Sequence, residues 1–458
     1  MGNIRSNKLF FLNVVAFAVV LGIWLGAGVK TLGHDDDTKA FWPSWRGPLA
    51  TGVAPEGDPP LGWSESRNIR WKVEIPGRGS ASPIVWGNQV YVTTAVPVGE
   101  AVSGGNLGGG TASKRGRRSR SSHRVRQFTV LAYDRTDGRL VWQRIAREER
   151  PHEAVHSENG TWASGSTVTD GKRLYAYFGS QGLYCYDLEG ELIWERDFGD
   201  LQMRNQFGEG STPALHGDTI VVVWDHQGDS FVVALDAQTG DERWRVARDE
   251  IDSWATPIIV EHNGRHQVVV GAMNRVMSYD LETGAIVWES DGLTMNPIPS
   301  PVAADGFVFL TSGYRGNNLK AVRLDDATGD ISGTPAIAWT LDRDTPYVPS
   351  PLLYGDTLYL IKRNSGLLSA YDAKTGTAHY KLQRLAGISN VFASPVGAGG
   401  RIYIVGRDGT TLVIRQGATF DLLATNVLDD RFDASPAVVG NQIYLRGYRY
   451  LYAIGGAE

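Results

Sequence analysis

An all-β fold, an eight-bladed β-propeller of four-stranded antiparallel blades, is predicted by three observations. The first is a unit of about 44 residues that recurs from Ser82 to the C-terminus, a period typical of repeat architectures. Its Ser/Thr-Pro signature places Pro or its equivalent at Pro83, Thr167, Pro213, Pro257, Pro301, Pro351, Pro395 and Pro436. The second is the alternation of short apolar runs with turn signals inside each unit, without helical periodicity, which means radially arranged strands. The third is Tyr/Leu-Asp-x-x-Thr-Gly followed four residues after the Gly by Trp.

The elements follow in order. The Gly of Thr-Gly supplies a positive φ for a tight hairpin. The following Trp (Trp142, Trp194, Trp244, Trp288, and Trp339 after a longer insertion) falls on the outermost strand, where a flat ring can dock between adjacent blades. Tyr380 replaces it in the sixth unit, and the seventh lacks both marks. The eighth unit stops at Tyr452-Ala453-Ile454-Gly455, one strand short. Residues 68–75 carry strand alternation and Trp71 with no partner strands of their own, so they are expected to complete the last blade and close the ring.

Composition agrees. The 458 residues are 42% hydrophobic with 55 Gly and 14 Trp, as in a large turn-rich β protein. A net charge of −5 gives no global attraction to nucleic acid. The single Cys185, in an apolar inner run, excludes an intrachain disulfide and any Cys-based metal cluster.

Residues 1–34 read as an export signal: Arg5 and Lys8 precede an apolar run over 9–29, and acidic residues follow. Its length suits a bilayer span, and the basic flank puts the propeller outside the cytoplasm. The expectation is an uncleaved anchor on a periplasmic or envelope protein; a cleaved signal is the alternative. Residues 35–67 form a Pro/Gly/Trp leader expected to lie against the propeller wall. Residues 97–126 are expected to be a disordered insertion in the first blade, ending in a basic tract at 114–120.

Ala-Ser-Pro at 81–83, 393–395 and 434–436, Tyr-Asp-x-x-Thr-Gly at 279–284 and 371–376, and the Trp four residues after Gly resemble the PQQ-type propeller repeat of quinoprotein dehydrogenases and of the BamB family of outer-membrane assembly factors. The resemblance covers about residues 68–455 and implies the fold; one scaffold carries many activities. In the dehydrogenases of this superfamily the quinone sits at the ring centre, commonly beneath a vicinal disulfide, with calcium on Glu, Asn and Asp. One cysteine precludes that disulfide here, while oxygen ligands such as Glu209, Asn205 or Asp225 are available to calcium without forming a concentrated acidic run. Neither PQQ nor calcium is expected.

The two faces differ. One carries terse turns, including Thr-Gly. The other carries the long inter-blade loops (148–162, 200–209, 248–254, 292–299, 341–349, 386–392 and 428–433) and is the expected binding face. Its candidate binding residues are Arg204, Asn205, Glu209, His226, Arg275, Arg315, Arg363, Arg407 and Arg446. The last five form an expected arc of guanidinium groups suited to carboxylate or phosphate; the competing expectation is internal pairing with Asp252, Asp344, Asp408 or Asp433. His152 and His156 lack an HExxH context, and no nucleophile elbow is present. No catalytic residue and no metal site is assigned.

The function expected is a non-enzymatic envelope scaffold, a monomer that binds a protein or peptide through the long-loop face. The alternatives are a PQQ-dependent dehydrogenase and a sensor of a small anionic metabolite.

Overall fold

The computed structural model describes residues 38–99 and 124–456. Eight sheets of antiparallel strands radiate round a central channel, and in all but the eighth the chain lays down the blade from the innermost strand outward. The blades span 84–149, 168–196, 214–248, 258–291, 302–341, 352–384, 396–427 and 437–455. The eighth is completed by Ile69–Glu74, which pairs antiparallel with Tyr450–Gly455 in the register Trp71↔Ala453 and Val73↔Leu451. The ring is therefore closed by hydrogen bonds between its two ends, and no sheet edge is left open between first and last blade.

Every outer strand carries a bulge at the same repeat position. In the third blade Trp244 faces Ala234 and Glu242 faces Leu235, so the strand register skips Arg243; in the same way it skips Val287 in the fourth blade and Arg70 in the eighth. A bulge bends the strand and re-aims the next side chain. Here it turns each Trp into the seam between blades. It also leaves two consecutive residues outward, which is why Leu140 with Val141 and Leu192 with Ile193 are exposed.

The docking of these rings has a donor and a floor. The indole N–H of Trp71, Trp142, Trp194, Trp244 and Trp339 donates to a carbonyl in the next blade, at 2.9, 2.9, 3.2, 2.8 and 2.9 Å, from Arg135, Leu188, Ala237, Leu281 and Ala373 in turn. Beneath each ring lies the Thr-Gly-type glycine of that next blade. A Cβ on Gly138, Gly190, Gly240, Gly284 or Gly376 would come within 2.6 to 2.8 Å of the indole. The glycine is needed twice, for its positive φ and for the missing Cβ.

Trp288 departs from the pattern. Its N–H donates 3.0 Å to Gln267 Oε1 of its own blade. The Thr328-Gly329 pair of the following blade does not sit beneath this ring: Gly329–Asp330 instead pairs in parallel with the outer strand of the fourth blade, and Trp288 is completely buried.

Two expectations are corrected in extent. The insertion in the first blade begins later and ends earlier than 97–126, because Pro97↔Arg126 and Val98↔Val125 continue the strand ladder, Val being a strong strand former; 100–123 lie outside the described residues. The leader does not simply lie on the wall: it crosses the floor of the channel, as described below. No helix among the described residues is long and apolar enough to cross a membrane. The apolar run at 9–29, and with it the anchor, lies outside the described residues.

Candidate functional site: the channel and its loop-bearing mouth

Antiparallel order puts the inter-blade loops and the turns after each second strand at one end of the channel, and the short turns at the other. The walls meet in a ring built from the repeat's Ser/Thr-Pro signature. The backbone N–H of Ser82 donates to Ser166 Oγ at 2.9 Å, that of Ser166 to Thr212, and so on through Thr256, Ser300, Ser350, Ser394 and Ser435 at 2.9 to 3.1 Å. Ser435 N–H then donates to Ser82 Oγ at 2.9 Å, closing a circle of eight bonds. All eight side chains are buried, and all eight line a cavity of about 170 Å³ on the axis.

The leader closes the turn-side end. Trp42 exchanges backbone hydrogen bonds with Val85 at 3.0 and 2.9 Å, and Pro43 C=O accepts from Thr169. Trp45 then lines the cavity from below. Arg46, 2% exposed, spreads its guanidinium under blades six and seven, donating to the carbonyls of Pro395 (3.0 Å), Thr51 (3.0 Å) and Pro351 (2.7 Å). Residues Val53–Ala54 add a parallel strand to Gly397 and Ala398. Further along, Trp63 is buried against Tyr403 and Asn426. Trp42, Trp45, Arg46 and Trp63 are thus a plug and strap, which the Trp-rich leader hinted at without showing where it goes.

At the loop-bearing mouth the candidate arginines separate into three groups. Arg446 is removed from the mouth: it is 2% exposed and donates to the carbonyls of Ala81 and Thr93 inside the wall. Arg275, Arg407 and Arg204 are held in ion pairs. Arg275 lies on the outer side of its blade with Glu289 and Asp330, each 3.0 Å away. Arg407 grips Asp433 with two bonds of 2.6 and 2.8 Å and stacks over Phe392, and Arg204 meets Asp252 at 3.1 Å. The expected continuous arc is therefore broken, because each of these blades supplies a carboxylate or carbonyl within reach.

Arg315 and Arg363 remain exposed, and neither is ion-paired among the described residues. Both stand in left-handed backbone, at φ 50° and 53°. Next to them Tyr314 and Tyr347 stack with centroids 4.8 Å apart, and Arg315 lies 5.5 Å over Tyr314. The backbone of Arg363 is stitched to Thr345 and Tyr347 at 2.8 and 2.9 Å, so these four side chains share one rigid patch over the fifth and sixth blades. The tyrosines were not singled out by sequence; Tyr-Arg and the Arg363 turn sit at equivalent positions of consecutive units, which was the available signal.

Glu209 faces inward. Its carboxylate accepts from Ser180 N at 2.8 Å and Ser180 Oγ at 2.5 Å and packs on Gly179, where a Cβ would overlap it. Burial pushes it up to about 7, against the opposing pull of the Ser180 donors. Asp225 is locked in a bidentate pair with the fully buried Arg248 at 2.7 and 3.1 Å. His226 Nδ1 accepts from Gln202 N at 3.1 Å, and Asn205 points outward from a left-handed turn. Asp433 is pushed up to about 6 by burial, with Tyr448 and arginines opposing.

The family model described as "Outer membrane protein assembly factor BamB" matches residues 126–253 and 228–455. The chain belongs to the BamB family. Among curated relatives, the BamB protein of Alteromonas naphthalenivorans is 25% identical over 236 residues, 45% of this chain and 54% of that protein. Subunit 1 of the cytochrome c methanol dehydrogenase of Methylobacterium organophilum is 27% identical over 139 residues, 29% of this chain and 21% of that protein. The matches thus span about half or less of these relatives. Among solved structures, BamB from Moraxella catarrhalis superposes with a TM-score of 0.55 at 14% identity, over 85% of this chain and 97% of that one. Quinohemoprotein alcohol dehydrogenase from Comamonas testosteroni gives 0.63 at 10%, over 92% and 81%. Both support the propeller fold.

The three residues named from the sequence as calcium candidates have these surroundings in the structure. Glu209 is occupied by Ser180, Asp225 by Arg248, and Asn205 is turned to solvent. Among the described residues no three His, Cys, Asp or Glu side chains converge. Cys185 is alone and buried, with its thiol pushed up to about 12 by desolvation, far from a reactive thiolate.

Proposed function

We propose that this protein is a non-enzymatic scaffold of the cell envelope whose loop-bearing face engages a protein partner. The observation that carries the reading is the inequality of the two ends: the chain's own leader covers one, while the other presents Arg315, Arg363, Tyr314 and Tyr347 on a stiff frame. Arg and Tyr are the residues that dominate binding energy at protein interfaces, since each offers a large flat contact with polar atoms. Membership in the BamB family supports a protein partner in the envelope, and the apolar run at 9–29 with its basic flank supports export. The candidate acid and base groups support a non-catalytic role, because Glu209, Asp225 and His226 are each committed to a backbone or arginine partner.

The test is affinity capture from detergent-solubilised envelope. A double variant Arg315→Gln, Arg363→Gln is expected to lose the partner retained by the unaltered protein, with an unchanged melting temperature. Retained capture by that variant rejects the loop face as the docking surface. Reduction of an artificial electron acceptor after adding the quinone and calcium would reject the scaffold reading altogether.

A further inference from the structure

We infer that the central cavity is a binding site for a small oxyanion. Each hydroxyl oxygen of the eight-membered ring already accepts a backbone N–H, and none of the eight hydroxyl protons has an acceptor among the described residues. These donors are all buried and all face the same 170 Å³ space. Ser80 Oγ, also on the cavity wall, has no hydrogen-bond partner among the described residues. A buried hydroxyl without an acceptor is costly, so a ring of them asks for an acceptor-rich occupant.

The surrounding charge points the same way. Arg46 donates to Pro351 and Pro395, each one residue from a ring hydroxyl, and Arg446 donates to Ala81, which adjoins Ser82. Both guanidinium groups are 2% exposed and bond to carbonyl oxygens, with no carboxylate partner among the described residues. Two un-neutralised buried cations raise the potential of the channel, and a low-dielectric wall strengthens their reach. A metal cation is disfavoured by the same potential, and by ring oxygens that have each spent a lone pair on an N–H. Asp433 is the single carboxylate on the cavity wall among the described residues, and it accepts two bonds from Arg407 and one from Tyr448.

Size and polarity narrow the class. A space of about 170 Å³ holds several water molecules. That suits a phosphate or a short carboxylate. Trp45 lies at the floor, while Ile298, Val348 and Phe392 form an apolar collar on the loop side.

The full-length protein is titrated by calorimetry with sodium phosphate and with sodium malonate, at constant ionic strength set by sodium chloride. Saturable one-to-one binding of at least one is expected, and the tighter of the two identifies the source of the oxyanion. Val348→Trp, which narrows the collar and leaves the ring intact, should abolish binding. Ser350→Ala should weaken it about tenfold, the worth of one hydrogen bond to a charged group. Ser350→Thr, the residue type already used at Thr212 and Thr256, should restore it. Failure of both anions to bind, or binding unaffected by Val348→Trp, overturns the inference, and the ring then encloses only water.

Discussion

The two ends of the channel are made from the same repeat and have been put to opposite uses. At the turn end every blade offers a similar short hairpin, and the chain lays its own residues 42–54 across them, pinned by Arg46. At the loop end the connections differ in length from blade to blade, and arginines at equivalent positions have different fates: Arg407 is locked to Asp433, while Arg315 and Arg363 stand free of ion pairs among the described residues. A regular frame invites an internal closure; an irregular rim invites a partner.

The comparison can be broken most severely at the closure. Deleting 68–76 removes the strand paired with Tyr450–Gly455, and the protein is expected to aggregate; a soluble product with an undiminished melting temperature would show that the ring closes otherwise. Replacing Arg46 by Ala strands three buried carbonyls and should cost about 3–5 kcal/mol in urea denaturation. Next come the seams. Trp244→Ala should cost about 3–5 kcal/mol. Gly284→Ala, whose Cβ would lie 2.8 Å from that indole, should cost about 2–4 kcal/mol. Gly329→Ala meets open space and should cost only about 1 kcal/mol, the strain of its positive φ. Equal losses at the two glycines would remove the indole from the explanation.

A smaller effect tests the loop end by pH. Glu209 is raised from an ordinary 4.5 to about 7 and Asp433 from 3.8 to about 6. In each case the folded state binds the proton more tightly than the unfolded chain, so stability is full below the ordinary value and declines as pH rises through the raised one. Melting temperature should therefore fall between about pH 4 and 7 through these two groups, and Glu209→Gln should flatten the upper part of that fall. An unchanged profile in the variant would mean that folding does not raise Glu209.

Much of this was legible beforehand, for identifiable reasons. The blades and their closure were readable because turn residues and strand alternation are local signals, and Asn68 to Ile75 carried the pattern of the strand missing from the eighth unit. The Trp positions were readable too, but not Trp288's change of partner, which depends on an insertion 40 residues on forming a fifth strand. The Ser/Thr before each Pro was visible as a motif, yet its circular bonding exists only when eight units meet. The fate of the arginines was the least legible: pairing of Arg407 with Asp433, or burial of Arg446 against Thr93, depends on which loops converge in space.

The central claim, that recognition belongs to the loop end and not to the sealed end, is tested most directly by site-specific photo-crosslinking in the intact envelope. A photoreactive residue is placed either at Arg363, beside the Tyr314–Tyr347 stack, or at Gln238, an exposed position in a turn-face hairpin. The account predicts a discrete crosslinked partner from position 363 and none from position 238. A partner captured from 238 alone would contradict it.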